Sequence, residues 1–300
     1  MSSKISTLSQ KHWFFDTNAF QPTDDQFKLL LNILPSEVKA KVTKFRALKD
    51  QKLSLISALI QRAMVRNTFA CSNEDFVIKR TALNKPFVSS EKFPTLQWNY
   101  NVSHHGSFVT ILSDFNCPIG IDLVQRSVRK SWKKSSSKYI TQFSSQLTDS
   151  EQTACLKHPE EWMQYSHFFV IWSLKEAYIK AVGKGLYMDL LSVSFDVKFS
   201  DLAVNNVAGS AVVKIEGCER SDWEFTFSSL DSEHVVTVAR CTGHSKENSN
   251  NVAECNMAPS EVKILDLLSE NDQKSWITLE ESGIAGGDPV VGVSAVAVDQ

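Results

Sequence analysis

Apolar residues recur at helical spacing through the first part of the chain. Pro22-Thr23-Asp24-Asp25-Gln26 reads as a helix start, with Thr23 and Gln26 at capping-box spacing and an apolar stripe at Phe27, Leu30, Leu31 and Ile33. Pro35-Ser36-Glu37 opens a second helix. Asp50 opens a third, whose apolar face runs Leu53, Ile56, Ile60 and Met64. The period then changes. Phe76 to Arg80 and Pro86 to Val88 read as extended segments about a turn at Asn84-Lys85. Phe108 to Leu112 and Ile119 to Leu123 flank turn-rich residues 113–118 and are expected to pair as a hairpin. A helix is expected from about Phe168 to Val182, stopped by Gly183 and Gly185. Strands follow at 192–199, 211–216, 223–227 and 234–240, the last two forming a hairpin around Asp231-Ser232.

Both halves place helices before alternating strands, which predicts an α+β protein built from a duplicated α/β lobe. The expected boundaries are 1–125 for the N-terminal lobe, 126–242 for the C-terminal lobe and 243–300 for a linker and acidic tail. In that tail only Glu261 to Leu268 suggests a short helix. The rest is expected to be poorly ordered or loosely docked.

Composition supports a sizeable core, since 42% of the 300 residues are hydrophobic. No run of about 18 or more apolar residues occurs and the N-terminus lacks a signal-peptide pattern, so the expectation is a soluble cytosolic protein. The six cysteines are scattered without C-x-x-C spacing, as expected of reduced thiols. The net charge of -2 conceals an asymmetry: residues 249–300 hold nine acids and two bases. Between Asp122 and Asp149 there is no acid, but there are six bases: Arg126, Arg129, Lys130, Lys133, Lys134 and Lys138. Such a run is either a solvated face or a surface for an anionic ligand or acidic partner.

Four features suggest chemistry. Asp122 interrupts the apolar run Ile119-Gly120-Ile121-Asp122-Leu123-Val124, where a carboxylate faces solvent, is paired, or binds a metal. Glu176 and Lys180 lie one helical turn apart in Trp172-Ser173-Leu174-Lys175-Glu176-Ala177-Tyr178-Ile179-Lys180-Ala181. A surface ion pair, or a capping box of Ser173 with Glu176, would also explain that spacing. Asn101-Val102-Ser103-His104-His105-Gly106 is a donor-rich segment suited to phosphates. Arg46, Arg80 and Lys85 add cations that, with this segment, would make a polyphosphate site.

Taken in order, Arg46, R-T-A-x-x-K-P, N-V-S-H-H-G, G-I-D and W-S-L-K-E-A-Y-I-K-A resemble the surfactin-type 4'-phosphopantetheinyl transferases. They are most similar to the group named for aminoadipate-semialdehyde dehydrogenase. The resemblance spans Trp13 to Arg240. It implies a monomer of two similar lobes with pseudo-two-fold symmetry and coenzyme A in the cleft between them. The implied activity moves 4'-phosphopantetheine from coenzyme A to a serine of an apo acyl or peptidyl carrier protein, releasing adenosine 3',5'-bisphosphate. By position, Asp122 and Glu176 would hold Mg²⁺. Arg46, Arg80, Lys85, Asn101, Ser103, His104, Glu176 and Lys180 would hold coenzyme A, with Glu176 and Lys180 catalytic. Implied partners are acidic carrier domains of fatty acid synthase and of the aminoadipate-semialdehyde dehydrogenase type, which would place the protein in fatty acid biosynthesis and lysine metabolism. Neither nucleic acid nor membrane is implied. Two positions depart from the family. Val124 stands where bacterial members carry a second acid, leaving His105 or water to complete the metal site. Asn84 replaces the usual glycine before Lys85-Pro86. The competing readings are another metal-dependent phosphate enzyme, such as a nuclease, and a non-catalytic binder of coenzyme A or carrier protein.

Overall fold

The computed structural model describes residues 10–93, 97–115, 117–126, 135–243 and 258–285. Strand β1 (Lys11–Asp16) leads into three helices, α1 (Asp24–Ile33), α2 (Ser36–Thr43) and α3 (Leu48–Phe69). A two-stranded hairpin of β2 (Val77–Arg80) and β3 (Pro86–Ser89) follows, then β4 (Trp98–His105) and β5 (Phe108–Phe115). β5 pairs antiparallel with β4 and returns to pair with β1. The order then repeats. β6 (Ile119–Gln125) leads into α4 (Ser136–Ile140), α5 (Asp149–Leu156) and α6 (Glu161–Val182). Strands β7 (Val193–Leu202), β8 (Val207–Ile215), β9 (Cys218–Glu219), β10 (Trp223–Ser229) and β11 (His234–Cys241) close the unit. β11 pairs antiparallel with β10 and returns to pair with β6. Both third helices are 22 residues long. The molecule is thus an α+β protein of two like lobes, each with a leading strand captured by its last strand around three helices.

Local chemistry accounts for several element ends. Thr23 and Gln26 form the expected reciprocal capping box, with Gln26 N donating to Thr23 Oγ1 at 3.2 Å and Thr23 N to Gln26 Oε1 at 2.8 Å. Asn84 takes φ 69°, the left-handed conformation asparagine tolerates. Gly183 ends α6 at φ 72°, its N–H donating to the Ile179 carbonyl. α6 begins at Glu161, before the expected Phe168. Ser173 therefore lies inside the helix, fully buried, and caps nothing.

The expected hairpin of 108–112 with 119–123 does not form. β5 lies in the first sheet, and β6 pairs with β11 in the second, Asp122 opposite Thr237. Both segments alternate correctly, but alternation does not reveal which sheet a strand joins.

Beyond the second lobe the chain returns to the first. β12 (Ser260–Glu261) pairs parallel with β1, covering its outer edge. Val262, Leu267 and Leu268 enter the first core. A helix α7 (Glu270–Ala285), for which the sequence pattern gives no signal, stacks the buried Trp276 on Phe20 with ring centroids 6.3 Å apart.

The α5–α6 region carries a titrating device. His158 Nε2 and His167 Nδ1 are 2.9 Å apart. His167 is 6% exposed, and burial, then the neighbouring His158, lowers its pKa to about 4. The unfolded chain, with an imidazole near 6.5, takes up that proton first. This contribution to stability is therefore present above about 6.5 and is lost as pH falls toward 4, by on the order of 3 kcal/mol. Urea denaturation of wild type and His167→Gln across this range checks it: the substitution should flatten the pH dependence.

Candidate active site

The site begins with a missing side chain. A Cβ on Gly120 would lie 1.9 Å from the Ala177 carbonyl oxygen and 2.6 Å from the Ala181 nitrogen. α6 therefore crosses β6 almost backbone to backbone, with small residues on the facing side of the helix. Glu176 and Lys180 each precede one of these alanines, and Asp122 lies two residues along β6 from Gly120. Close packing thus brings the three candidate side chains to one place.

Lys180 Nζ pairs with Asp122 Oδ1 at 2.6 Å and donates to Ser103 Oγ at 2.9 Å and to the Ile121 carbonyl at 3.2 Å. Ser103 Oγ donates to Asp122 Oδ1 at 3.1 Å. Asp122 is 8% exposed, so its charge is sheltered and its lysine compensates much of the desolvation. Ser103 and the histidines beside it form no serine–histidine couple: the hydroxyl serves Asp122, Lys180 and β6.

The N-V-S-H-H segment is strand β4, and it joins the two sheets. Ile121 N donates to Asn101 Oδ1 at 3.3 Å, Leu123 N to Ser103 Oγ at 3.2 Å and Gln125 N to His105 Nδ1 at 3.4 Å. Alternate side chains of β4 thus satisfy alternate amides on the free edge of β6. Among the described residues the two sheets share no backbone pairing; three β4 side chains tie them together, and Arg240 of β11 also pairs with Asp114 of β5 at 2.8 Å. Asn101 and Ser103 are buried by this role. Val124 is buried in the second core, and His105 turns Nδ1 to the Gln125 amide.

Glu176 differs from its neighbours. It is half-buried and forms no hydrogen bond or ion pair among the described residues. Burial raises its pKa, the Asp122 charge raises it further, and Lys180 opposes both. Two carboxylates that repel each other, one without a partner, form a donor set that a hard divalent cation would satisfy. No group of three or more metal-ligating side chains exists among the described residues. Two carboxylates suit Mg²⁺, which completes its shell with phosphate oxygens and water.

The other predicted residues surround this centre to different degrees. His104 is exposed beside it. Desolvation, then the Lys180 and His105 charges, lowers its pKa, against the Asp122 charge. Lys85 Nζ donates to the Ala181 carbonyl at 2.7 Å, docking the β2–β3 hairpin on the C-terminus of α6, where a cation is favoured. Arg80 Nη1 closes its own turn on the Asn84 carbonyl at 2.9 Å, and its side chain is exposed. Arg46 is exposed between α2 and α3 and forms no bond to the Asp122 cluster among the described residues. Of the basic run, Arg126 and Lys138 are described; Arg129, Lys130, Lys133 and Lys134 lie outside the described residues.

Lys175, inside the same helical motif, was not singled out by its pattern. Its Nζ pairs with Glu151 Oε2 at 2.9 Å and donates to the Leu190 and Val193 carbonyls at 2.7 and 2.6 Å. Glu151 also accepts from Phe195 N and caps α5 through Thr148. The Thr148-x-x-Glu151 capping box was a usable signal for half of this pair. With exposures of 2% and 0%, the pair is fully buried and fully bonded. Lys175→Ala is expected to lower stability by about 3–5 kcal/mol, leaving Glu151 uncompensated. A Lys175→Met/Glu151→Leu double variant should recover most of that loss in chemical denaturation.

Two repeated lobes meet at a carboxylate–lysine cluster, with Lys85 docked at the end of α6 beside it. Residues 18–116 match the family described as 4'-phosphopantetheinyl transferase, N-terminal, and residues 118–239 match the 4'-phosphopantetheinyl transferase superfamily. The chain is 25% identical over 236 residues to the L-aminoadipate-semialdehyde dehydrogenase-phosphopantetheinyl transferase of Mus musculus, covering 78% of this chain and 76% of that protein. It is 28% identical over 241 residues to a phosphopantetheinyl transferase of Thraustochytrium sp., covering 76% and 77%. It is 26% identical over 170 residues to the 4'-phosphopantetheinyl transferase gsp of Aneurinibacillus migulanus, covering 57% and 65%. The chain belongs to the 4'-phosphopantetheinyl transferase superfamily, and its activity is the transfer of phosphopantetheine to carrier proteins.

Proposed function

We propose that this transfer is magnesium-dependent, takes coenzyme A as donor, and runs through Asp122, Glu176 and Lys180. The observation supporting it is the half-buried, unpartnered Glu176 carboxylate beside Asp122. Mg²⁺ held by these two carboxylates would neutralise charge on the pyrophosphate of coenzyme A. Arg46, Arg80, Lys85 and His104 supply donors for the remaining phosphates and the adenosine end. Asn101 and Ser103 contribute by fixing β4 against β6. Glu176 takes the proton from the serine hydroxyl of the carrier. The serine oxygen then forms a bond to the phosphorus bearing the pantetheine arm. The bond from that phosphorus to the bridging oxygen breaks, and adenosine 3',5'-bisphosphate leaves with the electron pair. Lys180 balances the charge gathering on that leaving group.

The acceptors are apo carrier domains, including those of the aminoadipate-semialdehyde dehydrogenase type for which the murine relative is named; this reading places the protein in lysine metabolism. Carrier domains of fatty acid synthase belong to the same acceptor class. No helix among the described residues is long and apolar enough to cross a membrane. A monomer working in the cytosol suits this reading.

Calorimetric titration of coenzyme A with and without magnesium tests the metal assignment. Wild type should bind more tightly with the metal present, and Glu176→Gln should lose that difference. A magnesium effect of equal size in both proteins would refute the assignment.

A further inference from the structure

The β10–β11 turn of the second lobe meets the β4–β5 turn of the first through one imidazole. His234 opens β11 and is 5% exposed. Asp231 Oδ1 accepts from the backbone N–H groups of Glu233 and His234 at 2.8 and 2.6 Å, and lies 3.0 Å from His234 Nδ1. An ionised carboxylate only accepts, so Nδ1 donates to it, and Nε2 lies on the far side of the ring. Nε2 is buried and has no hydrogen-bond partner among the described residues. It is aimed at Gly106, where a Cβ would lie 2.3 Å from it. Gly106 takes φ 61° in the two-residue turn Gly106-Ser107. Glycine is needed there twice, for the left-handed backbone and for the room the imidazole occupies. The Phe108 ring packs on the same imidazole, with centroids 5.0 Å apart.

The surroundings fix both sides of this contact. Thr17 N and Oγ1 donate to the Ser107 carbonyl at 2.8 and 2.7 Å. His234 pairs in register with Gln125 at the end of β6. Gln125 Nε2 donates to Glu233 Oε2 at 2.7 Å, and Arg126 N donates to the Glu233 carbonyl at 2.7 Å. The turn that carries His234 is thus bound to the strand bearing Asp122, three residues before Gln125. It presses on the turn that ends β4, two residues beyond His104. Among the described residues β4 has backbone pairing on one side only, with β5. The end of β4 therefore depends on side-chain contacts for its distance from β6.

We propose that His234 is a positioning residue for the transfer reaction: backed by Asp231, it braces Gly106 and so sets where His104 stands relative to Asp122. Its nitrogens take no part in the chemistry. The proposal rests on the assignment of His104 to coenzyme A.

The test is steady-state transfer with coenzyme A varied and carrier protein saturating. It compares wild type, His234→Ala, His234→Asn, His104→Ala and the His104→Ala/His234→Ala double variant. Asparagine keeps a donor for Asp231 near the Nδ1 position but removes the ring edge at Gly106. His234→Ala and His234→Asn should each raise the KM for coenzyme A by about three- to tenfold, the scale of one weakened hydrogen bond, with kcat within about twofold of wild type. A residue that only stabilised the fold would change the active fraction, and so kcat rather than KM. His104→Ala should raise the same KM, and the double variant should match His104→Ala alone, because both changes remove one interaction. An unchanged KM in either folded His234 variant would overturn the proposal. So would a loss confined to kcat, or effects that multiply in the double variant. Should His234→Ala fail to fold, His234→Asn decides alone. An unchanged KM in His104→Ala would show that His104 does not hold coenzyme A, and the brace would fall with that assignment. A raised KM in His104→Ala with none in the His234 variants would overturn the brace and leave the assignment standing.

Discussion

Asp122→Ala or Glu176→Ala should lower transfer by on the order of 100-fold or more while the protein remains folded. The two losses should differ in kind. Asp122 is bonded to Lys180 and Ser103, so its removal leaves both groups without their acceptor and disturbs the contact between β4, β6 and α6. Some loss of stability should accompany the loss of activity. Glu176 has no protein partner among the described residues to disturb, and burial beside Asp122 already disfavours its charged form. Removing it should leave stability unchanged or slightly increased while transfer collapses. Paired denaturation and steady-state kinetics on the two variants separate these outcomes. Near-normal turnover in folded Glu176→Ala would remove the proposed base and metal ligand together.

Gly120→Ala should damage both fold and activity. The added methyl meets the Ala177 carbonyl at 1.9 Å, a contact that only movement of α6 away from β6 can relieve. Overpacking of this kind typically costs about 1–3 kcal/mol, and more where the obstacle is backbone. The same movement separates Glu176 and Lys180 from Asp122, so transfer should fall by about tenfold or more even in the folded fraction, since positioning errors of about 1 Å are costly. Transfer measured at saturating substrates, with a parallel melting curve, reads both effects. A stable Gly120→Ala with normal transfer would show that backbone contact is not what assembles the site.

Much of the candidate site was legible because its residues are local in sequence. The spacing of Glu176 and Lys180, the isolated Asp122 and the turn at Asn84 can each be read from a few neighbours. Thr23 with Gln26, and Gly183, marked helix ends for the same reason. What was not legible depends on distant partners. Alternation in Ile119–Leu123 fits a hairpin with β5 as well as it fits the observed pairing with β11. Asn101 and Ser103 look like phosphate donors in a loop; in the fold they are strand residues holding the edge of β6. Lys175 looks like one more surface lysine until Glu151 arrives from another helix. α7 is polar along most of its length and is anchored by Trp276 on Phe20, a contact between the two ends of the described chain. Gly120 was visible within a motif, but its reason is the backbone it touches, which no local window contains.

In the proposed mechanism the Asp122–Glu176–Lys180 cluster carries phosphopantetheine transfer. The most direct test incubates wild type and Glu176→Gln with coenzyme A, Mg²⁺ and an apo carrier protein, and reads the carrier's intact mass. A gain of one phosphopantetheine on the carrier is expected with wild type, and an unchanged mass with folded Glu176→Gln. Equal modification by both proteins, or an unmodified carrier with folded wild type, would contradict it.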